Sequence, residues 1–237
     1  MIIVIQCAAS KKPEAGHLQR RDGRKVLFVA DPENAPANEP FVYARPDDIA
    51  DTGNSWREEL IRYNNEPNSN PLGLLPAWQL YENRTYEMLA ERFGAKCLYI
   101  LSAGWGLIAA DFLTPAYDIT FSASADAYKR RRKKDRYDDL RMLPDDTEGP
   151  VIFLGGKDYT GLFCELSKGV RGPRYLFYNS ARAPKAPGCV LKRFNTTTRT
   201  NWHYECAQAL IQGDLQNLGD QENSTLASLA FIFDEMH

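Results

Sequence analysis

Histidine is scarce in this 237-residue chain: His17, His203 and His237 are the only three, and none lies near another. That scarcity argues against a histidine-built metal centre and against a serine–histidine triad. The five cysteines (Cys7, Cys97, Cys164, Cys189, Cys206) are scattered and form no CxxC pair. An odd, unpatterned set speaks against a disulfide framework or a cysteine zinc site and points to a reducing cytoplasm. Cys7, Cys97 and Cys164 sit in or beside apolar stretches, where a thiol behaves as a small hydrophobe. No apolar run approaches the roughly 20 residues needed to cross a bilayer, and Met1–Gln6 has no basic leader, so no membrane partner is expected. Phosphate and nucleophile signatures are missing too. Gly155-Gly156-Lys157-Asp158 lacks the spacing and the Ser/Thr of a Walker loop, and there is no GxGxxG and no GxSxG.

What is present is a chain with 43% hydrophobic residues, long enough to bury a real core. Its formal net charge of −2 excludes a globally basic polyanion binder. Charge is nonetheless uneven: residues 129–134 read Lys-Arg-Arg-Arg-Lys-Lys, followed by Asp135, Asp138, Asp139, Asp145 and Asp146. Such asymmetry makes either a local polyanion-binding face or a merely solvated one.

Ile2–Gln6, Leu98–Leu101, Val151–Leu154, Arg174–Tyr178 and Val190–Phe194 read as buried strands, with weaker candidates at Lys25–Ala30 and Phe41–Tyr43. Ser55-Trp56-Arg57-Glu58 has the form of a capping box opening a helix to about Asn64. Apolar spacing predicts further helices over Leu74–Phe93, a basic one over Ser124–Met142, one after the Gly155–Tyr159 loop to about Lys168, and Asn201–Gln212. Strands alternating with helices predict an α/β protein: a single open, mostly parallel sheet flanked by helices, as one domain over 1–213. The polar stretch 31–73 reads as an insertion or a lid, and 214–237 as a C-terminal helix or tail. Strand order does not follow from these patterns.

In an open α/β sheet, ligands bind where loops leave the carboxyl ends of strands. Those loops supply Gln6, Cys7, Ser10, Lys11 and Lys12; then Ser102, Trp105, Tyr117 and Asp118; then Lys157, Asp158 and Tyr159; and last Asn179, Ser180 and Arg182. Trp105, at the tip of Ser102-Ala103-Gly104-Trp105-Gly106, either offers a flat face for stacking or packs into the core. Asp118 and Asp158 are the candidate general bases or cation stabilisers, although Asp158 is also placed to cap a helix.

Three segments resemble the peroxide-stress YaaA-like proteins and a related domain that accompanies archaeosine synthases: Cys7-Ala8-Ala9-Ser10-Lys11-Lys12, Leu101-Ser102-Ala103-Gly104-Trp105-Gly106-Leu107 and Pro115-Ala116-Tyr117-Asp118. Trp105 stands where Tyr or His is usual there, and the late Lys-Ala-Arg-Gly element is absent unless Ser180-Ala181-Arg182-Ala183 is its remnant. The resemblance implies a uracil-DNA-glycosylase-like fold and the handling of modified bases, as in phage-defence glycosylases that remove glucosylated hydroxymethylcytosine from viral DNA. On that reading the partner is double-stranded DNA carrying modified bases. Asp118, with Asp158 second, stabilises the sugar cation; Gln6, Cys7, Ser10, Ser102, Trp105 and Tyr117 hold the base. Lys11, Lys12, Arg130, Arg131, Arg132, Lys133, Lys157 and Arg182 hold phosphates, and no metal or organic cofactor is needed. The alternatives are a non-catalytic DNA-binding stress protein and an enzyme acting on a free nucleoside or deazapurine.

Overall fold

The computed structural model describes residues 1–37, 40–66 and 69–214; the expected helix or tail at the C-terminus lies outside them from residue 215 onward. Five apolar runs become parallel strands: β1 (Ile2–Gln6), then, beyond the insertion, β5 (Leu98–Ser102), β9 (Val151–Leu154), β10 (Arg174–Tyr178) and β11 (Cys189–Arg193). β9 is buried at all four positions and β1 at its central three, which explains why both read as unbroken apolar runs rather than alternating ones. β6 (Gly106–Ala109) returns antiparallel on β5, and β8 (Leu140–Arg141) pairs with β6. The sheet order is β11-β10-β9-β1-β5-β6-β8. Counting only the parallel strands in chain order, this is 2-1-3-4-5 with its switch point between β1 and β9, where an open α/β sheet leaves a crevice.

The segment between β1 and β5 carries β2 (Lys25–Phe28), β3 (Phe41–Ala44), α1 (Trp56–Asn65), β4 (Leu75–Pro76) and α2 (Thr85–Phe93). β2 and β3 form a parallel ribbon. The capping box is present in full: Ser55 Oγ accepts from the Glu58 amide, and the Glu58 carboxylate accepts from the Ser55 amide at 2.7 Å. This stretch is no surface excursion, for Val26, Phe28 and Leu60 are fully buried and Trp56 nearly so. β4 pairs with β7 (Leu113–Thr114). α3 (Lys157–Leu166) follows β9, with Phe163 stacked on Phe153 at 4.5 Å, and α4 (Trp202–Gln212) packs on α2. Among the described residues no helix is long and apolar enough to cross a membrane.

Two expected helices are not formed as drawn. The helix over Leu74–Phe93 begins only at Thr85. Before it, Pro76 has no amide to give, and the amides of Ala77 and Trp78 donate to the carbonyls of Phe112 and Ala110. The basic helix over Ser124–Met142 is absent; only a single 3₁₀ turn at Ala127–Lys129 forms. Its backbone is claimed by tertiary partners: Lys129 O accepts from Thr120, Tyr128 O from Asp31, and the Arg131 amide donates to Thr120 O. Six consecutive cations offer no apolar stripe to hold a helix against those bonds.

Two buried arginines fasten these segments to the β5–β6 turn. Arg57 donates to Asp47 at 2.6 Å and to the carbonyls of Trp105 and Gly104 at 3.0 Å each. Arg131 forks onto Asp139 at 2.8 and 2.6 Å and donates to Ala103 O at 3.0 Å. Gly106 closes the turn with φ +90°, and a Cβ there would meet the Leu140 backbone at 2.6 Å. Arg57→Ala removes a buried cation, leaves Asp47 without its countercharge and leaves the Gly104 carbonyl without a donor, so it is expected to cost about 3 kcal/mol in chemical denaturation. A loss under about 0.5 kcal/mol, typical of a surface change, would contradict this role.

Candidate functional site

A cleft of about 860 Å³ opens over the carboxyl ends of β1, β9 and β10, at the switch point of the sheet. Its floor is Cys7, whose Sγ lies 3.2 Å from the Tyr159 hydroxyl and accepts from the Ala103 amide at 3.4 Å. Gln6 Oε1 accepts from the Gly156 amide at 2.7 Å, which ties the end of β1 to the loop entering α3. Beneath the floor runs a chain of hydroxyls. Ser102 Oγ donates to Tyr117 Oη at 2.9 Å while accepting the Gly104 and Trp105 amides, and Tyr117 Oη is 3.0 Å from Tyr81 Oη. The Lys11 ammonium sits 4.1 Å above the Tyr117 ring. Burial pushes the phenols of Tyr81, Tyr117 and Tyr159 well up and the Lys11 ammonium down. The tyrosines therefore stay protonated and serve as neutral hydrogen-bonding groups under the cleft.

The walls bring Lys157 and Asp158, in the first turn of α3, opposite the start of α4. Gly156, not Asp158, is the N-cap of α3, so capping does not account for Asp158. Among the described residues no hydrogen bond or ion pair engages its carboxylate. Thr120, Ser122, Arg199, Asn201 and Tyr204 complete the rim, with His203 buried in the wall behind them. Asn201 holds a left-handed conformation with φ 60° at the N-terminus of α4. His203 is 3% exposed, and its Nε2 has no hydrogen-bond partner. Burial holds its imidazole down to about 4, hence neutral near pH 7.

Of the residues expected from the strand-end loops, Gln6, Cys7, Ser10, Lys157, Asp158, Tyr159, Asn179 and Ser180 line the cleft. Ser102 and Tyr117 are buried and do not line the cleft, and neither does Lys11, whose ammonium lies on the Tyr117 ring. Trp105 is a correction: it is fully buried, edge-on to Phe28 at 5.0 Å with the Arg57 guanidinium over its ring, and has no free face for a base. Asp118 is another, for it does not line the cleft and instead pairs with Lys129 at 2.9 Å. Among the expected phosphate ligands, Lys12 is paired with Glu87 at 2.8 Å and Arg131 is buried against Asp139. Arg130 donates to Ala123 O, while Arg132, Lys133 and Arg182 are exposed. The expected lid does not cover the cleft: no described residue of 31–73 lines it.

His203 stands alone in the sequence, and its place against the cleft follows only from how α4 packs. Among the described residues, no three His, Cys, Asp or Glu side chains gather to hold a metal. The chain matches no protein-family model, no curated protein and no solved structure.

A buried neutral imidazole makes stability depend on pH in a set direction. The unfolded chain takes up this proton near pH 6.5, whereas folded His203 does so only near 4. Its contribution is therefore complete above pH 6.5 and is lost as pH falls toward 4, by about 3 kcal/mol in all. Denaturant titrations of wild type and His203→Gln across this window are expected to diverge, with the variant's slope shallower; parallel curves would contradict the assignment.

Proposed function

We propose that the protein is a DNA N-glycosylase that draws a modified cytosine out of the duplex into this cleft and cuts its bond to the sugar. The observation that carries the reading is an unpartnered carboxylate, Asp158, on the same 860 Å³ cleft as a neutral, orphaned imidazole, His203. A flipped base must be received in a pocket that reads its edge and stacks on its face. The cleft is far larger than a plain pyrimidine fills, so its volume supports a base carrying a bulky substituent such as glucosylated hydroxymethylcytosine. The likeness of the Cys7–Lys12 and Leu101–Leu107 segments to base-handling proteins supports the same class.

On this reading the bond from the sugar C1′ to the base nitrogen breaks, and the electron pair leaves with the base. Positive charge develops at C1′, where the Asp158 carboxylate stabilises it and orients a water. That water forms the new C1′–O bond, and its proton ends on the departing base. The neutral imidazole of His203 donates a hydrogen bond to the anionic base as it leaves, for which it needs its proton on Nε2. Of the two carboxylates, Asp158 takes this role ahead of Asp118, whose charge Lys129 already answers. One observation favours a free nucleoside as substrate: Lys12, Lys129 and Arg131 are engaged in internal ion pairs and leave fewer cations for phosphates.

The test is incubation with DNA duplexes bearing plain, hydroxymethylated or glucosyl-hydroxymethylated cytosine, and with the corresponding free nucleosides. Mass spectrometry reads released base and alkali reads abasic sites. Release from modified duplex alone is expected, and Asp158→Asn should lower it by about 100-fold or more with DNA binding retained. Release from nucleosides alone would move the assignment to the free-nucleoside reading, and release from none would overturn catalysis.

A further inference from the structure

The fold assembles a pair of thiols that the sequence scatters. Cys164, in the last half of α3, and Cys189, the first residue of β11, have their sulfurs 3.9 Å apart. A disulfide has an S–S bond of about 2.0 Å, so side-chain rotation has about 2 Å to close. Cys189 is partly exposed and Cys164 lies behind it, 8% exposed. Arg174 is the register partner of Cys189 on β10, and its guanidinium donates to Ser167 Oγ at 3.2 Å and to Cys164 O at 3.5 Å, beside the pair. A cation beside an accessible thiol with a second thiol behind it is the environment of an exchange-competent pair.

We propose that Cys164 and Cys189 are a redox-active dithiol, a modification site at which a small-molecule disulfide is reduced and an internal disulfide forms. The Cys189 thiolate attacks one sulfur of the small disulfide; that S–S bond breaks, and one small thiolate leaves and takes up a proton. Cys164 then gives up its proton and attacks the Cys189 sulfur of the mixed disulfide, forming the internal S–S bond and expelling the second small thiol. Two protein thiols are oxidised and one disulfide is reduced to two thiols. The contact with Cys164 and, less strongly, the Arg174 charge hold the Cys189 thiol down, while Cys164 is pushed up. Cys189, the more exposed of the two, attacks first and Cys164 behind it resolves. The other cysteines lack this setting: Cys7 and Cys206 are buried, and Cys97, though partly exposed, has no second cysteine sulfur in contact with it among the described residues. The new bond would tie β11 to the helix whose first turn carries Lys157 and Asp158.

The experiment treats the full chain with oxidised glutathione at pH 7, blocks free thiols with an alkylating agent, and maps the peptides by mass spectrometry. The titratable thiols are expected to fall from five to three, with a Cys164–Cys189 cross-linked peptide that reductant removes. Cys189→Ser should abolish the cross-link, Cys164→Ser should leave a glutathione adduct on Cys189, and Cys206→Ser should change nothing. Five free thiols after treatment, or adducts spread over all the cysteines with no 164–189 link, would overturn the proposal. The readout on wild-type protein does not depend on how well the variants fold.

Discussion

The carbonyls of Ala103, Gly104 and Trp105 turn inward between β5 and β6, and two buried guanidiniums satisfy them. Without Arg57 and Arg131 that turn would bury unpaired acceptors, each a cost comparable to a lost hydrogen bond. The arginines arrive from opposite sides of the chain, one from the insertion and one from the basic segment, and each is neutralised there by its own carboxylate, Asp47 or Asp139. Asp47 also accepts the Asp138 amide at 3.2 Å, which knits the two segments to each other. A buried ion pair of this kind adds modest net stability yet is costly to break. Its effect here is positional, since it fixes the turn from which the site is built.

From that turn the dependence runs to the cleft. The Ala103 amide reaches Cys7 Sγ, and Ser102 holds both the turn's amides and the Tyr117 hydroxyl. Cys7 in turn meets Tyr159, one residue after Asp158. The floor is thus a hydrogen-bonded layer of thiol and hydroxyls with the Lys11 ammonium against the Tyr117 ring, and Glu82, Lys157, Asp158 and Arg199 bring further charge to the lining. On the proposed reading, the Asp158 carboxylate is the group that answers positive charge as it develops transiently.

The parallel strands were legible because strands buried on both faces read as apolar runs whatever surrounds them, and the Ser55–Glu58 box because its hydrogen bonds are local. Periodicity failed where distant backbone made the competing offer: Trp78 shares a helical face with Leu75 on paper, but its amide goes to Ala110. The 129–134 run suggested a basic helix, whereas Lys129 and Arg131 are spent on Asp118 and Asp139. At the site, the loop residues after β1 and β9 were recognisable from strand ends alone. Trp105 was not, because spacing cannot tell a displayed aromatic from a buried one. His203 and the Cys164–Cys189 pair were invisible, since both depend on which strand neighbours which.

The central claim is that the cleft over β1, β9 and β10 receives an extruded base. It is tested most directly by a crystal structure of the Asp158→Asn variant bound to a duplex containing one glucosylated hydroxymethylcytosine. The account predicts that nucleotide swung out of the helix, its sugar beside residue 158 and its base within hydrogen-bond reach of His203. A base still stacked in the duplex, or DNA seated on another face with the cleft empty, would contradict it.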